Sequence, residues 1–199
     1  MDQNFNFFIT NMDTKNLSIV RQTFANTVFT HKVQEIACER QEKYALYVKK
    51  TNIWLVSIVL IMLVFQLIYK DNLVFSYIGV AITIAEMIFL IIQLSFDFDQ
   101  KAILHKNSAL KYMWLRDCYR MLITDIMNNS INSKEINDKR DLLQREYQVI
   151  SDLSPQTNND DYKNAQIKLN KKWIVENEDF TWSDEEINRF LPQGLHIKQ

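Results

Sequence analysis

The chain has 199 residues, enough for one or two domains, and a formal net charge of −1, which argues against bulk attraction to nucleic acid. It contains only two glycines and two prolines, so a mostly helical chain with few tight turns is expected. Cys38 and Cys118 fit no ligand spacing and are expected to be buried thiols in a reducing compartment.

In chain order, residues 1–14 read as an N-terminal tail without the basic start and apolar core of a cleavable signal. Residues 15–52 read as one long cytoplasmic helix leading into a membrane, with Leu17, Val20, Phe24, Val28, His31, Glu35 and Cys38 at three-and-four spacing. His31 is expected to pack between helices rather than to sense protons or hold a ligand.

Residues 53–69, "IWLVSIVLIMLVFQLIY", carry no charge, and residues 73–96, "LVFSYIGVAITIAEMIFLIIQLSF", carry only Glu86. The first run is near the short limit for a membrane span and the second is long enough to tilt. Only "KDN" separates them, so a helical hairpin is expected. Soluble helices rarely stay apolar on every face for so many turns. Arg40, Lys43, Lys49 and Lys50 precede the first span, and Lys101, Lys106 and Lys111 follow the second, whereas the turn offers only Lys70 beside Asp71. This asymmetry predicts that both termini are cytoplasmic and the turn is on the far side. Trp54 and Tyr69 suit interfacial anchoring.

Residues 97–175 read as cytoplasmic helices. The first continues from the second span and carries Leu104, Ser108, Tyr112, Leu115, Tyr119, Leu122 and Ile126 on one stripe. The next starts at an Asn132 or Ser133 cap, buries Ile136, Leu143, Tyr147 and Ile150, and stops at Pro155. A further helix carries Tyr162, Ala165, Leu169 and Trp173. Residues 176–199 read as a C-terminal tail with one short helix, capped by Ser183 with Glu186 three residues on and ended by Pro192. The fold class expected is therefore an all-α membrane protein: a two-span hairpin with a cytoplasmic helical bundle built from its N- and C-terminal flanks.

A glutamate in the middle of a span costs roughly 2.5 to 3.5 kcal/mol on insertion scales. Counting from Glu86 in steps of three and four gives Asn72, Ser76, Gly79 and Thr83 on one side and Gln93 and Asp97 on the other. Two readings follow. In one, small residues let helices approach and Glu86 pairs with Gln66 of the first span. In the other, Asn72, Ser76, Gly79, Thr83, Glu86, Gln93, Asp97 and Gln66 face a shared axis in a homo-oligomer within the lipid bilayer, and Glu86 forms a carboxylate ring that can be wetted. One hairpin cannot enclose a water path, so a pore needs several subunits.

Elsewhere there is no glycine-rich phosphate loop, HExxH, GxSxG or zinc spacing. His31, His105 and His196 do not cluster in sequence, so no catalytic residue, metal ligand or cofactor is expected.

The stretches "FANTVFTHKVQEIA" before the spans, "NSALKYMWLRDCYRML" after them and "REYQVISDLSPQTNNDDYKNA" further on stand in an ordered arrangement around the hairpin. In the last of these the pattern is Tyr147, Ser154-Pro155, Asp161-Tyr162 and Ala165. This arrangement resembles the SLATT family, the SMODS- and SLOG-associating two-transmembrane effector domains of bacteria, over roughly residues 15 to 175. The resemblance implies an inner-membrane effector in anti-phage or conflict systems that oligomerises and permeabilises the membrane. It implies a separate partner: a nucleotide second-messenger synthase, a nucleotide sensor or a reverse transcriptase. The rival expectation is a membrane-anchored scaffold or regulatory subunit that recruits a cytoplasmic partner and conducts nothing.

Overall fold

The computed structural model describes residues 2–69, 73–171 and 181–197, and only the backbone for residues 2–13. Helix α1 is Asp2–Ile68. No glycine or proline occurs in that stretch, so nothing in the sequence stops the helix once it has nucleated. The segment expected as a tail, 1–14, is thus helical from Asp2 onward.

Helix α2 is Leu73–Phe96 and helix α3 is Phe98–Met127. The sequence predicts an uninterrupted passage from one to the other, but Asp97 breaks it. Its φ is 28°, in the left-handed region that side chains other than glycine avoid. The Asp97 carboxylate accepts the backbone N–H of Gln100 at 3.1 Å, so Asp97 caps α3.

Helix α4 is Ser133–Leu153 and helix α5 is Asn159–Lys168. Asn132, not Ser133, caps α4, and Glu135 returns a bond to the Asn132 N–H at 2.9 Å. Asn158 and Asp161 make the same box for α5. Short helix α6 is Asp184–Asn188, with the expected Ser183 and Glu186 box, and a 3-10 turn follows at Gln193–Leu195. Helices α3 and α5 end in left-handed asparagines, Asn129 and Asn170, each at φ 49°. Asparagine fills the role that glycine commonly takes at a helix end. Among the described residues there is no strand.

The chain divides into two compact units, Met1–Ala37 with Leu104–Gln199, and Cys38–Ile103. The first unit is a bundle with one core. Val20, Phe24, Val28, Phe29 and Val33 of α1 meet Tyr112, Leu115, Tyr119 and Leu122 of α3, and Ile136, Leu143 and Ile150 of α4 close the core. Leu104 does not join the stripe assigned to it and is 46 % exposed. His105 takes the inward position instead and lies 2.7 Å from the Gln34 amide oxygen. A step of four residues overshoots a full turn, which shifts the buried face from Leu104 to His105.

The C-terminal segment is not a tail. Trp182, Ile187 and Leu191 belong to the core. Arg21 of α1, fully buried, donates to Asp184 Oδ1 at 3.3 Å, to Asn188 Oδ1 at 2.6 Å and to the Leu195 carbonyl at 3.0 Å. Gln22 and Trp182 exchange two hydrogen bonds, at 2.6 and 2.9 Å, and the indole N–H reaches Asn26 at 2.8 Å. A buried guanidinium requires several acceptors at once, and residues 184–195 supply them. Trp173 and residues 176–180 lie outside the described residues.

The second unit is a hairpin of the α1 end and α2, with the ends of both flanks. Two of its helices are long and apolar enough to cross a membrane, and their apolar windows are not buried inside the protein.

Candidate functional site

The hairpin register is fixed at several levels. Gln66 Nε2 donates to Ser76 Oγ at 3.1 Å, and the rings of Phe65 and Tyr69 stack on Phe75 at 6.0 and 5.5 Å. Further down, Tyr44 meets Phe98 at 5.7 Å and Lys49 pairs with Asp99 at 2.9 Å. The two segments therefore run antiparallel. Leu55, Val59 and Met62 are the half-buried residues of α1 in the span, Asn52 just before it is half-buried too, and Ser76, Gly79, Ile82, Glu86, Phe89 and Gln93 are among those of α2. These sets recur at three-and-four spacing, so each is one face and the two faces meet.

The polar residues of α2 do not share one environment. Ser76, Gly79, Glu86 and Gln93 lie on the face toward α1. Thr83 is exposed and returns its hydroxyl to the Gly79 carbonyl at 2.9 Å. Asp97 is committed to capping α3. Asn72 lies outside the described residues. Gln66 bonds Ser76, not Glu86, because its level in the hairpin is that of Ser76. Glu86 has no hydrogen bond or ion pair among the described residues.

Gly79 does not serve close packing within the hairpin. A Cβ built there meets nothing within 4 Å. It lines a groove of about 200 Å³ with Val59, Met62, Leu63, Gln66, Val80, Thr83 and Ile84. At the other end of the spans the amide oxygens of Asn52 and Gln93 are buried with no partner among the described residues. Asn52 did not figure in the sequence stripe. The signal was present, because Asn52, Leu55, Val59, Met62 and Gln66 follow the same three-and-four spacing on α1.

In the bundle unit the histidines have separate partners. His31 Nδ1 donates to the Ala109 carbonyl at 3.0 Å, and its Nε2 lies 3.4 Å from Glu35. Burial lowers the His31 pKa more than Glu35 raises it, which fits a packing role. His196 faces the Leu191 carbonyl at 2.9 Å. Burial pushes the Cys118 thiol up, so it is protonated and unreactive at neutral pH. Among the described residues no group of three or more histidines, cysteines and carboxylates could hold a metal ion.

An antiparallel pair of apolar helices with its outer surface bare, joined at both ends to flanks that share one core, defines a two-span helical membrane domain. A family model, SMODS and SLOG-associating 2TM effector domain family 4, matches residues 17–186, and the chain belongs to that family. It is accordingly a membrane effector domain of conflict systems. No curated protein and no solved structure matches the chain.

Proposed function

We propose that the protein oligomerises in the bacterial inner membrane and permeabilises it when a separate signalling protein reports infection. Both termini are cytoplasmic in this reading, consistent with the basic flanks on either side of the hairpin. The trigger comes from a nucleotide second-messenger synthase, a nucleotide sensor or a reverse transcriptase, and the protein acts on the bilayer rather than by catalysis.

One observation carries the reading. Glu86 sits in the middle of a span, half-buried, with no donor among the described residues. A carboxyl in that position needs either water or a polar group from a neighbouring copy, since lipid offers neither. Association of several hairpins around the groove beside Gly79 and Thr83 would supply both. The rival reading, a non-conducting anchor, is favoured by the Gln66–Ser76 bond and by the intrahelical bonds of Thr83, Ser57 and Ser95, which leave little of the polar face free for water.

The test uses Glu86→Gln and Glu86→Leu, with dye release from activated cells and membrane abundance measured for both. Gln keeps shape and hydrogen bonding but cannot ionise, and it should alter toxicity or ion selectivity. Leu should insert at least as well as the native residue and lose permeabilisation. Native permeabilisation by both variants at equal abundance refutes the role of Glu86 and leaves the anchor.

A further inference from the structure

The two apolar runs of the sequence are unequal. Residues 53–69 give about 26 Å of helix and residues 73–96 about 36 Å, against a hydrocarbon thickness of about 30 Å. The hairpin register removes the discrepancy. The apolar end of α2, with Phe96 stacked on Phe98 at 5.8 Å, is level with Tyr44 and not with Ile53, because Tyr44 packs on Phe98 at 5.7 Å. The lipid-facing surface of α1 therefore continues beyond Trp54 toward the N-terminus, into a segment that reads as polar in sequence.

On that segment Lys43, Leu46, Tyr47, Lys50 and Trp54 fall on one face, at steps of three and four, and all are exposed. Tyr47 is 72 % exposed and Trp54 71 %, values that would be costly to leave against water beside a bilayer. Below Trp54 the same face continues as Ile58, Ile61, Phe65 and Ile68, all exposed in the span. No carboxylate occurs between Lys43 and Trp54. Lys49 is engaged by Asp99, whereas Lys43 and Lys50 have no ion pair among the described residues.

We propose that this face is a docking surface for anionic phospholipid. Lys43 and Lys50, about 10 Å apart along the helix, hold headgroup phosphates on either side of Tyr47. Leu46 and Tyr47 lie at the headgroup level between the two lysines, and Trp54 marks the hydrocarbon boundary. The lysine stems cover apolar surface while their ammonium groups reach outward, which is why a charged segment can stand at the membrane interface. Lys101, over the rings of Phe96 and Phe98 at 5.7 and 5.9 Å, brings a third cation to the same level of the hairpin.

The test is quenching of Trp54 fluorescence in the full chain reconstituted in vesicles. Brominated phosphatidylglycerol is compared with brominated phosphatidylcholine at equal mole fraction, and Trp54→Phe identifies the Trp54 contribution. The expected relative binding constant favours the anionic lipid by roughly fivefold for each lysine. Lys43→Gln with Lys50→Gln should bring it close to one, and Lys43→Arg with Lys50→Arg should restore it. Circular dichroism of each variant establishes that the helices are intact. Equal quenching by the two lipids in the native protein, or an undiminished preference in the glutamine pair, overturns the proposal.

Discussion

Replacing Arg21 by methionine isolates the attachment of the C-terminal segment. Arg21 is fully buried, and its three donor nitrogens serve Asp184, Asn188 and Leu195. Methionine keeps much of the aliphatic volume and removes every donor. The Asn188 oxygen, which keeps the Ile197 N–H at 3.3 Å, and the Leu195 carbonyl then each lose a donor in a half-buried site, at about 1 to 3 kcal/mol each. Asp184 is 41 % exposed and recovers water, so its share is small. The sum is about 2 to 6 kcal/mol, a range that includes the cost of breaking a buried charged pair. Burial lowers the pKa of the guanidinium, with Asp184 opposing, but arginine stays charged at any working pH, so no titration complicates the comparison. Arg21→Lys keeps the charge but cannot present three donors in one plane, and should recover less than half. The assay is hydrogen exchange at the Ile187, Phe190 and Leu191 amides of the detergent-solubilised chain, which bond within the segment at 3.0, 3.0 and 3.1 Å. Exchange should accelerate there first, before the α3 amides. Unchanged exchange in Arg21→Met, with a stability loss below about 1 kcal/mol, refutes the account of the clasp.

Three further outcomes follow from single sites. The Tyr119 hydroxyl is buried with no partner among the described residues, and burial raises its pKa, so Tyr119→Phe should raise stability by about 1 kcal/mol, read as a higher urea midpoint. Burial pushes the Glu186 carboxyl up, but the hydrogen bond from Lys171 at 2.7 Å and the Ser183 cap outweigh it, so the net pKa is lowered. Its contribution is then fully present above the unfolded value of about 4.3 and is lost as pH falls through the lower folded value, so proteolysis after Trp182 should accelerate only below about pH 4. Gly79→Ala should leave the hairpin intact, since the added methyl meets nothing within 4 Å, and membrane abundance by blotting should match the native protein.

Legibility in the sequence followed the range of the forces involved. The spans were plain because the apolar runs need no partner to be recognised. The cap at Ser183 was plain because a capping box joins residues three apart, whereas for α4 the sequence left Asn132 and Ser133 open and the Glu135 return bond decides for Asn132. The Asp97 break was harder, since aspartate often continues a helix, and only its bond to the Gln100 amide shows it as a cap. The Arg21 clasp was not legible at all. Its partners lie 163 to 174 positions away, and a lone arginine at position 21 of a helix reads as a solvated residue. The expected α3 stripe failed only at Leu104, where a step of four was one residue off the buried face.

The candidate site has a different limit. In the bundle, a stripe of apolar residues implies a partner stripe in the same chain, because water drives both under cover. In the bilayer that inference fails, because lipid is as apolar as leucine and leaves an exposed stripe at no cost. Polar residues then carry the information. Gln66 and Ser76 satisfy each other, and the hydroxyls of Ser57, Thr83 and Ser95 bond their own helix. Glu86 and the oxygens of Asn52 and Gln93 are among the groups of the hairpin left without a partner among the described residues. They stand on the inward faces, where a second hairpin or a column of water would have to enter between α1 and α2 to reach them. In the reading proposed above, assembly or wetting would stabilise these groups, which the hairpin by itself leaves without partners among the described residues.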